Sequence, residues 1–358
     1  MKKLVALLIA LVMAFGCCTM LAGCSSNKTT IYVYNWQEYI STGEDDTLDV
    51  IAAFEEEYPD IKVKYSTYPD NETMYAKLAG GGITVDVIIP SDYMIARMAK
   101  ENMLQELNFE NIPNYAHVDS TFKDMAHDPE NKFSVPYTWG TVGIIYNKKH
   151  VDAADLTGWD ILWNEKYSGK ILMFGNSRDA FGIAQFLLGY DLNTTDEETL
   201  RACAEKLKEQ RPLVQQYVMD EVYGSMEGGE AWLAPYYVGD YLDMASENED
   251  LGFYLPQGQG FNLFVDSMCI PTCAQEKEAA EKFINFLCDP EISGQNMSAI
   301  CYSTPISAAK EHMDEELVNN PSAYPSEEVL ANGKAFAYLP PETNRLLEEL
   351  FLEVRNSN

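Results

Sequence analysis

The sequence predicts an α/β protein of about two domains. Three observations carry that expectation. The chain is 358 residues long, about two domain lengths. Apolar runs of strand length alternate with longer stretches at helical spacing, the pattern of a sheet of mainly parallel strands. Hydrophobic residues make up 46% of the chain, enough for sizeable cores.

Ile31 to Trp36 is the first predicted strand. Leu48 to Tyr58 follows as a helix with Ile51, Phe54 and Tyr58 on one face, stopped by Pro59 and Asp60. Ile61 to Tyr65 alternates apolar and basic residues, as a half-buried strand does. Asn71 to Leu78 reads as a helix closed by Gly80, Gly81 and Gly82. Val85 to Ile89 is a strand with one polar member, Asp86, ended by Pro90 and Ser91. Phe133 to Tyr146 reads as an extended crossing from one lobe to the other, and Gly260 to Pro271 as the return. Between them lie a strand at Ile171–Phe174 and another at Ala231–Tyr237, where Pro235 argues against a central position. Glu278 to Leu287 and Asn344 to Val354 read as amphipathic helices.

The N-terminus has the form of an export signal. Lys2 and Lys3 precede an apolar run from Leu4 to Gly16, and Leu21-Ala22-Gly23-Cys24 follows. This predicts a lipoprotein signal at 1–23, lipidation at Cys24 and a tether at 24–30. An uncleaved anchor with a chance cysteine is the alternative. Removing two lysines and no acids takes the net charge from −31 to −33. Such a field repels nucleic acid and attracts cations. Of eight cysteines, five lie outside the signal and anchor: Cys203, Cys269, Cys273, Cys288 and Cys301. The number is odd, and no histidine-rich segment accompanies Cys269 and Cys273, so zinc is not expected. These cysteines read as small buried apolar residues. No metal or cofactor is implied.

Enzyme motifs are missing: the chain has no P-loop, no G-x-S-x-G, no H-E-x-x-H and no G-x-G-x-x-G. His117, His127, His150 and His312 are scattered in polar, exposed contexts. A hydrolase using a carboxylate pair stays open, because acids are so numerous. Aromatic and acidic residues do collect at predicted strand ends, where open α/β sheets bind ligands: Trp36-Gln37-Glu38-Tyr39, Ser91-Asp92-Tyr93 and Asn176-Ser177-Arg178-Asp179. A slot with aromatic walls and acidic ends suits a diamine. Carboxylates pair its ammonium groups, whose unpaired burial is costly. Each buried methylene contributes about 0.8 kcal/mol, and each aromatic face about 0.5–2 kcal/mol toward a cation.

At these clusters the sequence resembles the bacterial spermidine/putrescine-binding proteins of ATP-driven importers. The strongest segments are Tyr34 to Tyr39, Tyr65 to Leu78, Pro90 to Tyr93, Val135 to Gly140 and Asp266 to Pro271. The resemblance implies a two-lobed, type II periplasmic-binding-protein-like fold with crossing strands and an interlobe cleft. The lobes would be 31–137 with 265–310, and 138–264 with 311–358. It implies Trp36, Gln37 and Tyr39 at one amine with Glu38 as an acidic partner, and polar contacts from Ser91 and Tyr93. It implies further contacts from Asn176, Asp179, Tyr237, Phe264 and Tyr302, with Asp266 as the central carboxylate. Asn176 and Asp179 stand where spermidine-preferring members carry Asp and Glu, and Phe336 where they carry glutamine. Asp240 and Phe264 match putrescine-preferring members more closely. The implied partners are a polyamine, permease subunits with their ATPase, and a membrane through the lipid anchor. The implied location is the extracytoplasmic face, a periplasm if the envelope has two membranes. A different cationic amine or an amino acid is the alternative ligand.

Overall fold

The computed structural model describes residues 28–357. The expected signal at 1–23 and lipidation site Cys24 lie outside the described residues. The described residues form ten strands: β1 (Thr29–Trp36), β2 (Ile61–Tyr68), β3 (Val87–Ile88), β4 (Ser134–Asn147), β5 (Ile171–Phe174), β6 (Val214–Val218), β7 (Leu233–Tyr237), β8 (Leu251–Tyr254), β9 (Phe261–Cys269) and β10 (Gly333–Lys334). Their order along the main path is β2-β1-β3-β9-β4-β7-β5-β6, with β10 beside β9 and β8 beside β4.

Two long strands divide this sheet into two lobes. The first half of β4 pairs antiparallel with β9, from Ser134–Cys269 to Thr141–Leu263. Its second half pairs with β7 and β8, beginning at Val142–Tyr237. β1 to β3 therefore extend one lobe, and β5 to β8 the other. The register of β4 against β9 shifts between Pro136 and Thr138. This places an extra residue, Tyr137, in a bulge, a device that re-aims neighbouring side chains. The expectation of a mainly parallel sheet is corrected to a mixed one. β1–β2, β1–β3 and β5–β6 run parallel, whereas the long pairings of β4 are all antiparallel. Strands that cross between lobes return in the opposite sense, which produces those antiparallel pairs.

Local sequence explains most boundaries. The helix at Val50–Glu57 is capped by Asp49, whose side chain accepts from the Ala52 amide, and it buries Val50 and Phe54. Asp70 and Asn176 cap the helices Asn71–Gly80 and Ser177–Leu188 in the same way. β3 is shorter than the Val85–Ile89 run. Asp86 is fully buried and accepts amides from Tyr32, Gln275 and Glu276, so it ties loops together instead of extending the ladder. Pro235 does sit inside the sheet. β5 meets β7 at Leu233, so the ladder does not call on an amide at Pro235 from that side. The C-terminal helix Pro341–Asn356 packs on Ser177–Leu188 and Glu197–Gln210.

All five described cysteines are free; Cys203, Cys269 and Cys288 are buried. Histidine exposure needs one correction. His117, His150 and His312 are exposed, but His127 is half-buried, and burial holds its pKa down at about 4. Among the described residues no helix is long and apolar enough to cross a membrane, and no His/Cys/Asp/Glu group is arranged to hold a metal ion.

Candidate functional site

β1, β2, β3, β5, β6 and β7 all end at one cleft. It measures about 670 Å³, counting space open to solvent. The segments that follow these strands supply its walls: Trp36-Gln37, Pro69 to Glu72, Ser91 to Tyr93, Asn176, Met219-Asp220 and Tyr237. Helices begin at Asn71, Asp92, Ser177 and Val238, so their N-termini face the cleft. The positive ends of these helices partly offset the acidic side chains collected there.

Three groups of side chains organise the site. Asp266, on the crossing strand β9, is buried; its Oδ2 accepts from the Tyr39 hydroxyl at 2.7 Å. Thr138, turned inward after the bulge, donates in turn to the Tyr39 oxygen. Asp266 Oδ1 is buried without a hydrogen-bond partner. On the second lobe, Asp240 accepts from Tyr223 at 3.0 Å and from Tyr302. The third group spans both lobes. Tyr237 and Asn176 donate to Asp179 Oδ2 at 2.6 and 2.7 Å, while Tyr93 donates to Glu72 at 2.9 Å and accepts from Asn71.

Aromatic rings close the walls between these groups. Tyr302 packs edge-on against Tyr39 with centroids 4.8 Å apart, and Tyr237 against Phe264 at 5.6 Å. Trp36 is fixed by its indole N–H, which donates to the Ile89 carbonyl at 2.8 Å. Two glycines make room. A Cβ on Gly239 would stand 2.2 Å from the Tyr302 ring, and one on Gly140 2.8 Å from Phe264.

The electrostatics are one-sided. Asp70, Glu72, Asp92, Asp179, Asp220, Asp240 and Asp266 line the cleft, with no lysine or arginine among the described lining residues. Burial raises the carboxyls of Asp266 and Asp240 to about 6, although hydroxyl donors act in the opposite direction. Burial and then the neighbouring Asp240 push Asp220 up to about 7. Burial and then Asp70 take Glu72 to about 7, and burial takes Asp92 to about 8. Arg178 stands behind the wall, its guanidinium 4.3 Å from the Phe336 ring. The arrangement suits a cation with more than one charged nitrogen and an apolar stem.

Of the residues singled out from sequence, Trp36, Gln37, Tyr39, Ser91, Tyr93, Asn176, Asp179, Tyr237, Asp240, Phe264, Asp266 and Tyr302 line this one cleft. Glu38 does not. Its backbone is left-handed, with φ 48°, in the turn that brings Tyr39 inward, and its side chain is exposed. From there its charge helps raise Asp220 and Asp243. Sequence reasoning missed Asp70, Asn71, Glu72, Met219, Asp220, Tyr236 and Asn262; it placed Asp92 in a strand-end cluster but gave neither it nor Phe336 a contact role. β2 continues to Tyr68, three residues past the expected strand, and β6 was not anticipated. The strand-end rule applied to the true ends of β2 and β6 would have found Asp70, Glu72 and Asp220.

Comparison with known proteins agrees with this architecture. The spermidine/putrescine-binding periplasmic protein of Escherichia coli (strain K12) is 34% identical over 316 residues, 88% of each chain. The putrescine-binding periplasmic protein SpuD of Pseudomonas aeruginosa is 30% identical over 99% of each. A solved structure described as a putative spermidine/putrescine ABC transporter from Listeria monocytogenes superposes with a TM-score of 0.87 at 36% identity, covering 92% of this chain and 100% of that one. Residues 49–325 match the family described as bacterial extracellular solute-binding protein, and the chain belongs to that family.

Proposed function

We propose that this protein is the receptor of an ATP-driven importer and binds polyamines, putrescine foremost, in the acidic cleft. The observation that carries this reading is the pairing of Asp266 and Asp240, each raised to about 6, with aromatic walls between them. Ionising both at neutral pH without a counter-charge is unfavourable. A diammonium ion supplies two counter-charges and fills the space between the rings with methylenes. The relatives named for putrescine and spermidine support the same ligand class.

In this reading the protein hands over its ligand unchanged, without catalysis. The two lobes, 31–137 with 265–310 and 138–264 with 311–358, close on the ligand by bending at β4 and β9. Cys24 carries the lipid that keeps the receptor beside its permease. Calorimetric titration of residues 27–358 with putrescine, spermidine, spermine and lysine tests the proposal. Micromolar or tighter binding of putrescine is expected. Absence of binding by all four amines refutes it. Radiolabelled palmitate incorporation that is lost in Cys24→Ala tests the anchor.

A further inference from the structure

Among the described residues two carboxylate oxygens are buried without a hydrogen-bond partner, Asp266 Oδ1 and Glu72 Oε2, and both residues line the same cleft. We propose that Glu72 is a second anchoring carboxylate, whose Oε2 accepts a hydrogen bond from an ammonium of the ligand other than the one at Asp266. This rests on the polyamine reading and adds to it a contact that the pairing of Asp266 with Asp240 does not include.

Local structure explains the position. Asp70 follows β2 and caps the helix Asn71–Gly80 by taking the Thr73 amide at 2.6 Å, which puts Glu72 in the first turn. A negative charge is favoured there by the helix dipole. Oε1 is occupied, since Tyr93 donates to it at 2.9 Å. Oε2 differs from the oxygens of Asp240, which take the Tyr223 and Tyr302 hydroxyls, and from Asp179 Oδ2, which takes Tyr237 and Asn176. A buried acceptor without a donor is costly. An ammonium supplies the donor and the counter-charge together.

Glu72 and Asp266 are held in one frame. Asn71 is 3% exposed; its side-chain amide donates to the Tyr93 hydroxyl and to Ser91 Oγ, both at 3.1 Å, and its carbonyl oxygen takes the Ser91 amide at 3.3 Å. Ser91 in turn forms a backbone bridge with Asp266. The chain Glu72–Tyr93–Asn71–Ser91–Asp266 thus ties the two carboxylates together, so an amine with two charged ends meets two preset acceptors. The surrounding charges favour a cation. Burial, then Asp70 and more weakly Asp179, bring the Glu72 carboxyl to about 7. Arg178 acts from behind the wall, but its hydrogen bonds go to the Leu192 and Ala337 carbonyls and the Asn193 side chain. Its field is shared among Glu72, Asp179 and Asp92. One guanidinium against three carboxylates leaves a negative field, which draws an ammonium.

The test titrates the full-length chain, purified in detergent, with putrescine and compares the unaltered protein with Glu72→Gln. The amide keeps an acceptor for the Tyr93 hydroxyl, removes the charge and puts a donor where Oε2 lies. A hydrogen bond to a charged group is worth about 10- to 150-fold in affinity, so a loss of at least about tenfold is expected at pH 8, with the melting temperature the same or higher. Proton release separates contact from a merely structural role. At pH 7 about half of Glu72 is protonated, and an ammonium brought against it expels about half a proton. Calorimetry in buffers of different ionisation heat should show that increment in the unaltered protein and its loss in Glu72→Gln; Asp92, Asp220, Asp240 and Asp266 contribute alike to both. An affinity loss below tenfold in a variant that melts normally, or unchanged proton release, overturns the role of Glu72 alone. Where the glutamine variant does not fold, Glu72→Asp takes its place under the same affinity threshold, because it withdraws the charge by one methylene. Failure of the unaltered protein to bind putrescine overturns this inference together with the polyamine reading.

Discussion

Replacing Asp266 by asparagine separates binding from folding. The substitution keeps the shape of the side chain and removes its charge. Asp266 is 4% exposed, its Oδ2 accepts from Tyr39, and its Oδ1 is buried without a hydrogen-bond partner. An ammonium brought against this carboxylate would satisfy that acceptor. A hydrogen bond to a charged group contributes about 1.5–3 kcal/mol, so Asp266→Asn should weaken putrescine binding by about 10- to 150-fold. Stability should move the other way. Burial lifts the folded-state pKa of Asp266 to about 6, above the ordinary value of about 3.9. Its contribution to stability is thus full below about pH 4 and is lost as pH rises through 6. At pH 8 the charged carboxylate opposes folding, and the asparagine variant should melt at the same temperature or higher. Calorimetric titration at pH 8 gives the first quantity and thermal unfolding the second. An affinity loss under tenfold in a protein that melts normally would refute the assignment of Asp266 to the ligand.

The same pKa shifts set a pH dependence. With Asp266 and Asp240 both at about 6, lowering the pH from 8 to 5 should weaken binding about tenfold per carboxylate, or about 100-fold for the pair. Binding near pH 6 should release protons, seen as calorimetric heats that change with buffer; flat affinity from pH 5 to 8 would contradict the site. Gly239→Ala drives a methyl into the Tyr302 ring and should push that ring off Asp240. Putrescine affinity is expected to fall at least tenfold while far-ultraviolet circular dichroism stays unchanged. For residues 27–358, thiol titration in denaturant should count five cysteines. Without denaturant no more than two, the partly exposed Cys273 and Cys301, should react within minutes. Fast reaction of a third would show that the buried thiols are accessible.

Much of the site was legible because it follows from where strands stop. Trp36, Ser91 and Asn176 each sit just past an apolar run that ends in polar residues, and periodicity alone marks those ends. Asp70 and Glu72 escaped because Ser66 and Thr67 break the alternation of β2, although the backbone stays paired with β1 through Tyr68. Phe336 was reached only through the family resemblance, as the residue standing where spermidine-preferring members carry glutamine. It lies in a coil after β10, and only tertiary contacts with Arg178 and Gly182 bring it to the cleft. Glu38 falls outside the cleft lining because of a left-handed turn at a non-glycine residue, which sequence does not reveal. The mixed sheet was hidden for a related reason. Strand direction depends on how the long crossings at 134–147 and 261–269 return, and local pattern is silent on that.

The acids of the cleft are compensated in part by the protein itself. Seven carboxylates line it, and full ionisation would place like charges close together in a poorly solvated space. Three features relieve that repulsion without a ligand. Raised pKa values let part of the set stay protonated near neutrality. Tyrosine and threonine hydroxyls donate to the most buried members, as Tyr39 does to Asp266 and Tyr302 to Asp240. Helix N-termini and the buried Arg178 contribute positive potential from behind the wall. None of these supplies a mobile positive charge inside the cleft. A monovalent inorganic ion could neutralise one carboxylate but would leave the aromatic walls facing water. An amine with two charged ends and an apolar stem satisfies the separated acids and the rings together, and its length must match the gap between them.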